Sequence, residues 1–263
     1  MPSLTATPGS QHFLDAAKIL AQRRLSGASG AQLPINFRPN NVAEAMQIQA
    51  MLASQLQDAV VGWKCGMPGE GKIVIAPIFS KTVFQQKQSH ICKVHANDLI
   101  KIEPELAFVL ATDLPARTTP YTANDVHAAV SHAHLALELI GCRYAEPDEA
   151  SFYEHLADCL FNQGLFLGPE IPLQQAMQAQ KIKVTLATEG IQQQEFNGIH
   201  PAHDPMAPLC WLAEYLRQQG SGLRAGQTII TGSYAGSPVV PLYQTIALQF
   251  EKLGSIEVCF TRY

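Results

Sequence analysis

Ile102-Glu103-Pro104-Glu105-Leu106-Ala107-Phe108-Val109-Leu110 is an apolar run broken by two carboxylates two residues apart. In a β-strand, positions i and i+2 share a face. Glu103 and Glu105 therefore point the same way, with Ala107 and Val109 continuing their face, and Ile102, Leu106, Phe108 and Leu110 fill the other. Two like charges side by side repel, and each loses hydration at a cost of several kcal/mol per buried ion, to be set against about 1 kcal/mol for an ordinary hydrogen bond. A divalent cation offsets both penalties, and an all-oxygen donor set selects Mg²⁺, Mn²⁺ or Ca²⁺ over zinc. A third carboxylate stands alone in Ala136-Leu137-Glu138-Leu139-Ile140, where an ion needs a partner. Three acidic ligands, with the other positions left to water and substrate, suit a catalytic Mg²⁺ site. The alternative is a solvated face for Glu103 and Glu105, with Glu138 paired to Arg143 or to a lysine.

Outward from this strand, the chain reads as an α+β fold. Phe13–Gly27 and the stretch after Asn41 (VAEAMQIQAMLASQL) carry helical apolar periodicity, the second with an Asn cap. From Val60 the pattern turns to strands, in VVGWKCG, KIVIAPIF and IKIEPELAFVLATDLP, punctuated by Gly and Pro. TANDVHAAVSHAHLALELIG predicts a helix capped near Thr122 or Asn124 and then a strand reaching Gly141. GLFLG predicts a further strand, KIKVTLATEG with IQQQEFN a hairpin, and Pro208–Gln219 an amphipathic helix. Three more strands close the chain. Residues 1–59 are expected to form an N-terminal helical region and residues 60–263 a β-rich catalytic region, together one structural unit. No G-x-G-x-x-G follows a strand, no G-x-S-x-G is present, and strands do not alternate regularly with helices, which argues against dinucleotide, α/β-hydrolase and barrel readings.

Composition narrows the partners. The 263 residues hold 18 Lys plus Arg and 22 Asp plus Glu, a net charge of −4, so no basic excess exists to neutralise nucleic-acid phosphates. No run approaches the roughly 20 apolar residues of a membrane span. Only 15% of residues are charged, which points to surface covered by other subunits, a homo-oligomer. The start, MPSLTATPGSQHFLDAAK, has neither the basic nor the apolar part of a signal peptide, and none of the six cysteines forms a C-x-x-C pair. A reducing cytoplasm is expected, with Cys65 or Cys159 open to a thiol-nucleophile reading.

Other groups carry chemistry with plainer alternatives. Lys64, between glycines in Gly62-Trp63-Lys64-Cys65-Gly66, either snorkels outward or is a desolvated acid/base or anion-binding group. Asp158 near a helix end is a catalytic candidate or a cap. Thr231-Gly232-Ser233, after an apolar strand, is able to hold a substrate carboxylate or simply to turn the chain. His132 with His134, and His200 with His203 and Asp204, read as metal pairs only weakly against strand-junction and turn roles.

Taken together, GWKCG (Gly62–Gly66), IEPELAFVLATDLP (Ile102–Pro115), ALELIGCR (Ala136–Arg143), LAD (Leu156–Asp158), GLFLG (Gly164–Gly168), IITGS (Ile229–Ser233) and FEKLGSIEVCF (Phe250–Phe260) resemble the 2-keto-4-pentenoate hydratase group of the fumarylacetoacetate hydrolase superfamily. The resemblance spans nearly the whole chain. It implies a mixed, β-rich fold with an N-terminal helical region, and Mg²⁺ or Mn²⁺ held by Glu103, Glu105 and Glu138. It further implies Lys64 and Asp158 as catalytic groups, and Thr231, Gly232, Ser233 and Asn162 as substrate-binding residues. The implied substrate is a small 2-oxo or 2-hydroxydienoic acid and the leading reaction is hydration. The alternatives are decarboxylation or keto–enol tautomerisation, or a non-catalytic metal- and 2-oxo-acid-binding partner subunit. Three stretches depart from the family pattern: Cys159-Leu160-Phe161-Asn162-Gln163 replaces an Asn-Ala-Ser-Ser-Gly-like run, Ser80-Lys81-Thr82-Val83 lacks a Gly and an acidic pair, and Leu242-Tyr243 replaces a Gly-Asp turn.

Overall fold

The computed structural model describes residues 10–263; the first nine residues, read above for a leader, lie outside them. Two helices come first, α1 (Ser10–Ser26) and α2 (Val42–Leu56). The Asn41 side chain caps α2 by accepting the Glu44 N–H at 2.9 Å. Five strands follow: β1 (Val60–Gly69), β2 (Lys72–Phe79), β3 (Val83–Gln85), β4 (Ile91–Val94) and β5 (Leu99–Leu110). After α3 (Ala123–Ala129), closed by a Thr122–Asp125 capping box, comes β6 (Val130–Ile140). Then come α4 (Phe152–Ala157), β7 (Asn162–Ile171), α5 (Leu173–Met177), β8 (Lys181–Thr188) and β9 (Ile191–Ile199). The chain ends with α6 (Ala207–Gln218), β10 (Thr228–Ile230), β11 (Val239–Pro241), β12 (Thr245–Phe250) and β13 (Gly254–Arg262).

The strands form two sheets. The larger runs β2-β1-β10-β5-β6-β7-β3, with β11 also on β5; the smaller runs β4-β13-β12-β8-β9. In the small sheet, strict alternation in β12 buries Ile246, Leu248 and Phe250 and exposes the residues between them. That face and Ile256, Val258 and Phe260 of β13 belong to the main core, together with Leu135, Leu137 and Leu139 of β6. The other face of the large sheet has a separate small core of Ile78, Ala107, Ala136, Leu165, Leu167 and Ile230. Ile78 on β2 and Leu165 on β7 lie near opposite ends of the strand order yet share this cluster, so the sheet curls back on itself. Its strands are buried on both faces through the middle of β5, where Pro104 to Phe108 are all buried.

Small residues allow the curl. The parallel pairing of β1 with β10 sets Gly62 opposite Thr228, where a Cβ would stand 2.2 Å from the Thr228 carbonyl oxygen. The N-terminal helices lock onto the same body: Gln49 of α2, buried, donates to the carbonyls of Ile75 at 3.1 Å and Leu156 at 2.7 Å. Among the described residues no helix is long and apolar enough to cross a membrane.

The long elements stand where the sequence places them, with ends shifted by up to about five residues, as in the strand read to Pro115 that stops at Leu110. Four strands rather than three follow α6, because β11 is only three residues long and takes its identity from pairing with β5. The short β3 and β4, and α5, were not expected for the same reason: they exist through tertiary pairing or docking rather than through a period of their own. His132 and His134 both lie within β6 rather than at a helix–strand junction, with ring centroids 5.3 Å apart.

Gly62→Ala is expected to destabilise the fold by about 1–3 kcal/mol, the usual range for over-packing. A urea midpoint equal to that of the parent would show that β1 and β10 separate without cost.

Candidate metal centre

The two strands that carry the acids are register partners. Glu103 of β5 faces Glu138 of β6 directly, and Glu105 faces Ala136. One carboxylate oxygen from each of Glu103, Glu105 and Glu138 falls within 4.8 Å of the others. Glu138 is fully buried, Glu105 is 2% exposed and Glu103 is half-buried.

Each acid is held differently. Glu103 Oε1 accepts the Ser237 hydroxyl at 2.6 Å, and Glu105 Oε2 accepts the Gly232 N–H at 2.6 Å. Glu138 Oε1 accepts Lys64 Nζ at 2.8 Å and Asn162 Nδ2 at 3.0 Å, while its Oε2 is buried with no hydrogen-bond partner. Lys64 Nζ donates also to the Leu160 carbonyl at 3.1 Å.

Burial raises the Glu105 pKa well above the usual carboxylate range, and Glu138 and Glu103 raise it further, while the Gly232 N–H opposes them. Burial raises that of Glu138 too, against the pull of Lys64. For Lys64, desolvation favours the neutral amine, but Glu138, Glu103 and Glu105 outweigh it and hold the pKa above its ordinary value. Among the described residues Lys64 is thus the one cation that lines one cavity with the three acids. A cluster with this surplus of negative charge, an orphaned buried oxygen on Glu138 and oxygen donors alone fits a hard divalent cation.

These residues open onto a cavity of about 390 Å³. Lys64, Glu103, Glu105, Glu138, Thr231, Gly232 and Ser233 all line it, so seven of the nine expected site residues come together. The Ser233 hydroxyl is spent on the Pro104 and Gly236 carbonyls, at 3.3 and 2.7 Å. Asn162 is not on the wall; it stands behind Glu138 and orients it. Asp158 is not brought to the cavity either. It ends α4, and its Oδ2 and carbonyl oxygen each accept from Arg143 at 2.7 Å. An acid this close to a guanidinium is fixed by it.

Three contributors escaped the sequence reading. One is the Leu160 carbonyl, aimed at Lys64 by a backbone in which Cys159, Leu160 and Phe161 all have positive φ, at 64°, 47° and 65°. No side-chain pattern announces such a run. The second is Ser237, which reaches Glu103 from the loop between β10 and β11. The third is His200, which the sequence offers as a turn residue or, more weakly, as a metal ligand. Its Nδ1 accepts the Ala202 N–H at 3.2 Å, so the neutral ring presents Nε2 to the Thr231 hydroxyl at 3.3 Å. It thereby braces the Thr231–Gly232 turn, where Gly232 at φ +140° takes a backbone that other residues rarely adopt. Asp204 instead accepts the Met206 N–H at 2.8 Å, a turn role. The buried thiols of Cys65 and Cys159 are pushed up by desolvation, Cys159 to about 11, which removes the thiolate a nucleophile needs.

Comparison with known proteins agrees with this geometry. The family profile of the fumarylacetoacetate (FAA) hydrolase C-terminal region matches residues 58–261. The chain belongs to the fumarylacetoacetate hydrolase family. Within that family it is 30% identical over 161 residues to a 2-keto-4-pentenoate hydratase of Burkholderia vietnamiensis, a match covering 61% of this chain and 60% of that protein. It is 25% identical over 257 residues to a 2-keto-4-pentenoate hydratase of Paraburkholderia xenovorans, covering 94% of each. The matched part thus spans about 60% of the length of the first of these relatives and nearly all of the second. Among solved structures, 4-oxalocrotonate decarboxylase from Pseudomonas putida G7, complexed with magnesium and adipate, has the same fold. Its TM-score is 0.75 at 19% identity, covering 98% of this chain and 100% of that one.

His200 supplies a pH test of the brace. Burial lowers its pKa from 6.5 to about 4, so below about pH 6.5 the unfolded chain takes up a proton that the folded chain refuses. Its contribution is complete above the unfolded value and drains as pH falls toward the folded one. Stability is expected to drop by about 2 kcal/mol between pH 6.5 and 5, and the slope should flatten in His200→Gln. Identical urea midpoints at the two pH values in the parent protein would rule this out.

Proposed function

We propose that the protein is a divalent-metal-dependent hydro-lyase that adds water to a small 2-hydroxydienoic (2-oxo) acid, with Mg²⁺ as its metal and Mn²⁺ as a competent substitute. The observation that carries this reading is the buried Glu103–Glu105–Glu138 cluster with Lys64 at 2.8 Å from Glu138, facing one cavity. The hydratase relatives support the reaction class.

Glu103, Glu105 and Glu138 would hold the metal. A divalent cation there supplies Lewis acidity, which favours the enolate form of a 2-oxo acid. The Thr231 hydroxyl orients the substrate carboxylate, while the Gly232 N–H beside it is held by Glu105. Lys64, an ammonium fixed by Glu138 and by the Leu160 carbonyl, delivers and recovers the proton that moves between the dienol and the unsaturated ketone. Asn162 keeps Glu138 turned so that one oxygen stays free. Asp158 acts at a distance, by fixing Arg143 behind the loop.

The cavity lining favours a substrate with one carboxylate. Beyond Lys64, which is engaged by Glu138, no cation among the described residues lines it, and Met67, Val74, Pro201 and Ala202 offer apolar surface to the tail. A dioic acid would leave its second carboxylate without a counterion, which weighs against decarboxylation of a diacid as the main reaction.

Residues 60–263 then form the catalytic region, and of the 1–59 helical region the described residues 10–59 buttress it. Exposed Ile91, Leu99, Val239 and Tyr243, on a chain of low charge, support a homo-oligomer. The free thiols support a cytoplasmic setting.

Titration calorimetry is expected to show one Mg²⁺ per chain, weakened at least about 100-fold in Glu105→Gln and in Glu138→Gln. Unchanged affinity in both removes the metal assignment. The reaction itself is read from ultraviolet decay of 2-hydroxypenta-2,4-dienoate with Mg²⁺, its product identified by NMR as the 4-hydroxy-2-oxo acid. Lys64→Met should lower kcat by about 10²–10⁴-fold while Mg²⁺ still binds. Carbon dioxide release from an oxalocrotonate-type diacid, faster than hydration of the monoacid, favours the decarboxylase instead. Binding of oxalate without turnover of any dienoate would mark a non-catalytic subunit.

A further inference from the structure

A second cavity, of about 310 Å³, shares no lining residue with the one at the three glutamates and lies between the end of α1, the segment after β4 and the C-terminus. Four of the chain's eight arginines line it: Arg23, Arg24, Arg143 and Arg262. In a protein of net charge −4 this is a concentration of positive charge that the hydratase chemistry does not use.

Two of the four are already neutralised. Arg143 is paired with Asp158 at 2.7 Å, and Arg262 meets Asp98 at 3.1 Å and the Asn97 carbonyl. The other two are not. Arg23 donates to the Arg143 carbonyl at 3.2 Å and stands over the Tyr144 ring, 5.5 Å from its centroid. Arg24 is only 9% exposed, lies over the Phe79 ring at 5.1 Å, and touches Asn162 Oδ1 through Nη2 at 3.5 Å. Its Nη1 is buried with no hydrogen-bond partner. Among the described residues, neither Arg23 nor Arg24 has a carboxylate within ion-pair distance. Asp158 and Asp58 act on Arg24 only from beyond ion-pair distance. A buried guanidinium with an idle N–H and no paired carboxylate costs several kcal/mol, and an anion that pairs with it offsets that cost.

The surroundings bear out the sign of the field. His95 also lines the cavity, stacked on Tyr263 at 4.5 Å, and its backbone N–H is tied to Gln163 at 3.0 Å. Burial, then repulsion from Arg143 and Arg24, lowers its pKa, so the ring stays neutral and adds a polar contact rather than a further charge. Gly27 is required beside it, since a Cβ there would fall 2.2 Å from His95 Nδ1.

We propose that this cavity is a binding site for a small dianion, one that pairs with Arg23 and Arg24 together. The uncompensated charge of these two residues sets the valence, and the bidentate geometry of guanidinium suits phosphate and carboxylate oxygens alike. The site is separate from the glutamate cluster and stands whether or not the hydratase reading does.

Calorimetry on metal-free protein tests it, because without a metal the other cavity offers an anion no cation but Lys64, which Glu138 engages. Inorganic phosphate and succinate are the probes, standing for phosphate esters and dicarboxylic acids, and acetate is the monoanion control. One site per chain is expected, with acetate at least tenfold weaker; the tighter of phosphate and succinate identifies the natural ligand class. Arg23→Gln and Arg24→Gln should each weaken the tighter probe by tenfold or more, while Lys64→Gln leaves it unchanged. Should Arg24→Gln fail to fold, Arg23→Gln at the half-buried position carries the same test. Absence of binding by either probe at millimolar concentration overturns the proposal. So does binding that survives both arginine changes or that falls in Lys64→Gln. If the arginine variants instead shift the sedimentation coefficient and no probe binds, the arginines meet a carboxylate of a neighbouring subunit, and the proposal again fails.

Discussion

Three carboxylates share one sheet face around a single lysine, and the surrounding structure is built to make that arrangement bearable. The direct opposition of Glu103 and Glu138 across β5 and β6 cannot be relieved by rotation, because the strands pair continuously on both sides of them. Like charges opposite one another destabilise a sheet. Here the cost is met by specific donors: Ser237 to Glu103, Gly232 to Glu105, and Lys64 with Asn162 to Glu138. Each donor arrives from a different part of the chain. The interruption between β10 and β11 brings two of them, because both strands pair with β5 and the residues between them must loop across its face. A continuous strand in that place would have covered the acids and closed the cavity.

Lysine placement has its own cost. Three successive residues, Cys159 to Phe161, hold left-handed backbone, a conformation that disfavours non-glycine residues by roughly 1–2 kcal/mol each. The turn is over-determined by its hydrogen bonds: Leu160 N–H to the His155 carbonyl, Gly141 N–H to the Phe161 carbonyl and Asn162 N–H to the Cys159 carbonyl. His155 and Phe161 stack at 4.3 Å across it. The result aims the Leu160 carbonyl at Lys64 Nζ. The segment that departs most from the family pattern thus supplies a backbone contact, for which side-chain identity matters less than the path of the chain.

This explains what could be read from the sequence. Glu103, Glu105 and Glu138 were legible because an ion inside an apolar strand is costly, and strand periodicity says which way it points. Lys64 was legible as a charge between glycines, although only the structure shows that it answers Glu138 rather than solvent. The long helices and strands announced themselves by period and caps. What stayed hidden depends on contacts between distant segments. Asp158 reads as a catalytic candidate or a helix cap, and only the structure shows that Arg143, fifteen residues upstream, pairs with it. His200 sat in a loop whose polar residues all looked alike, and its buried place beside Thr231 exists only once β9 and β10 converge. Gly232 reads as a substrate-binding residue, and only the structure shows that its N–H goes to Glu105.

The position of Asn162 settles how an acidic site and a basic cavity stand back to back without cancelling. Arg24 approaches the same wall as Glu138, and a guanidinium laid directly on that carboxylate would satisfy both oxygens with its parallel N–H groups. Such a fork would leave nothing for a metal. An amide between them changes the outcome. Asn162 gives one N–H to Glu138 Oε1 and turns its carbonyl toward Arg24, so each side receives a partial charge of the required sign. Glu138 keeps Oε2 unclaimed, and Arg24 keeps Nη1 unclaimed. The two unsatisfied atoms are therefore consequences of one neutral spacer, and replacing it by aspartate would add a fourth acid to the cluster while withdrawing the donor that holds Glu138 in place.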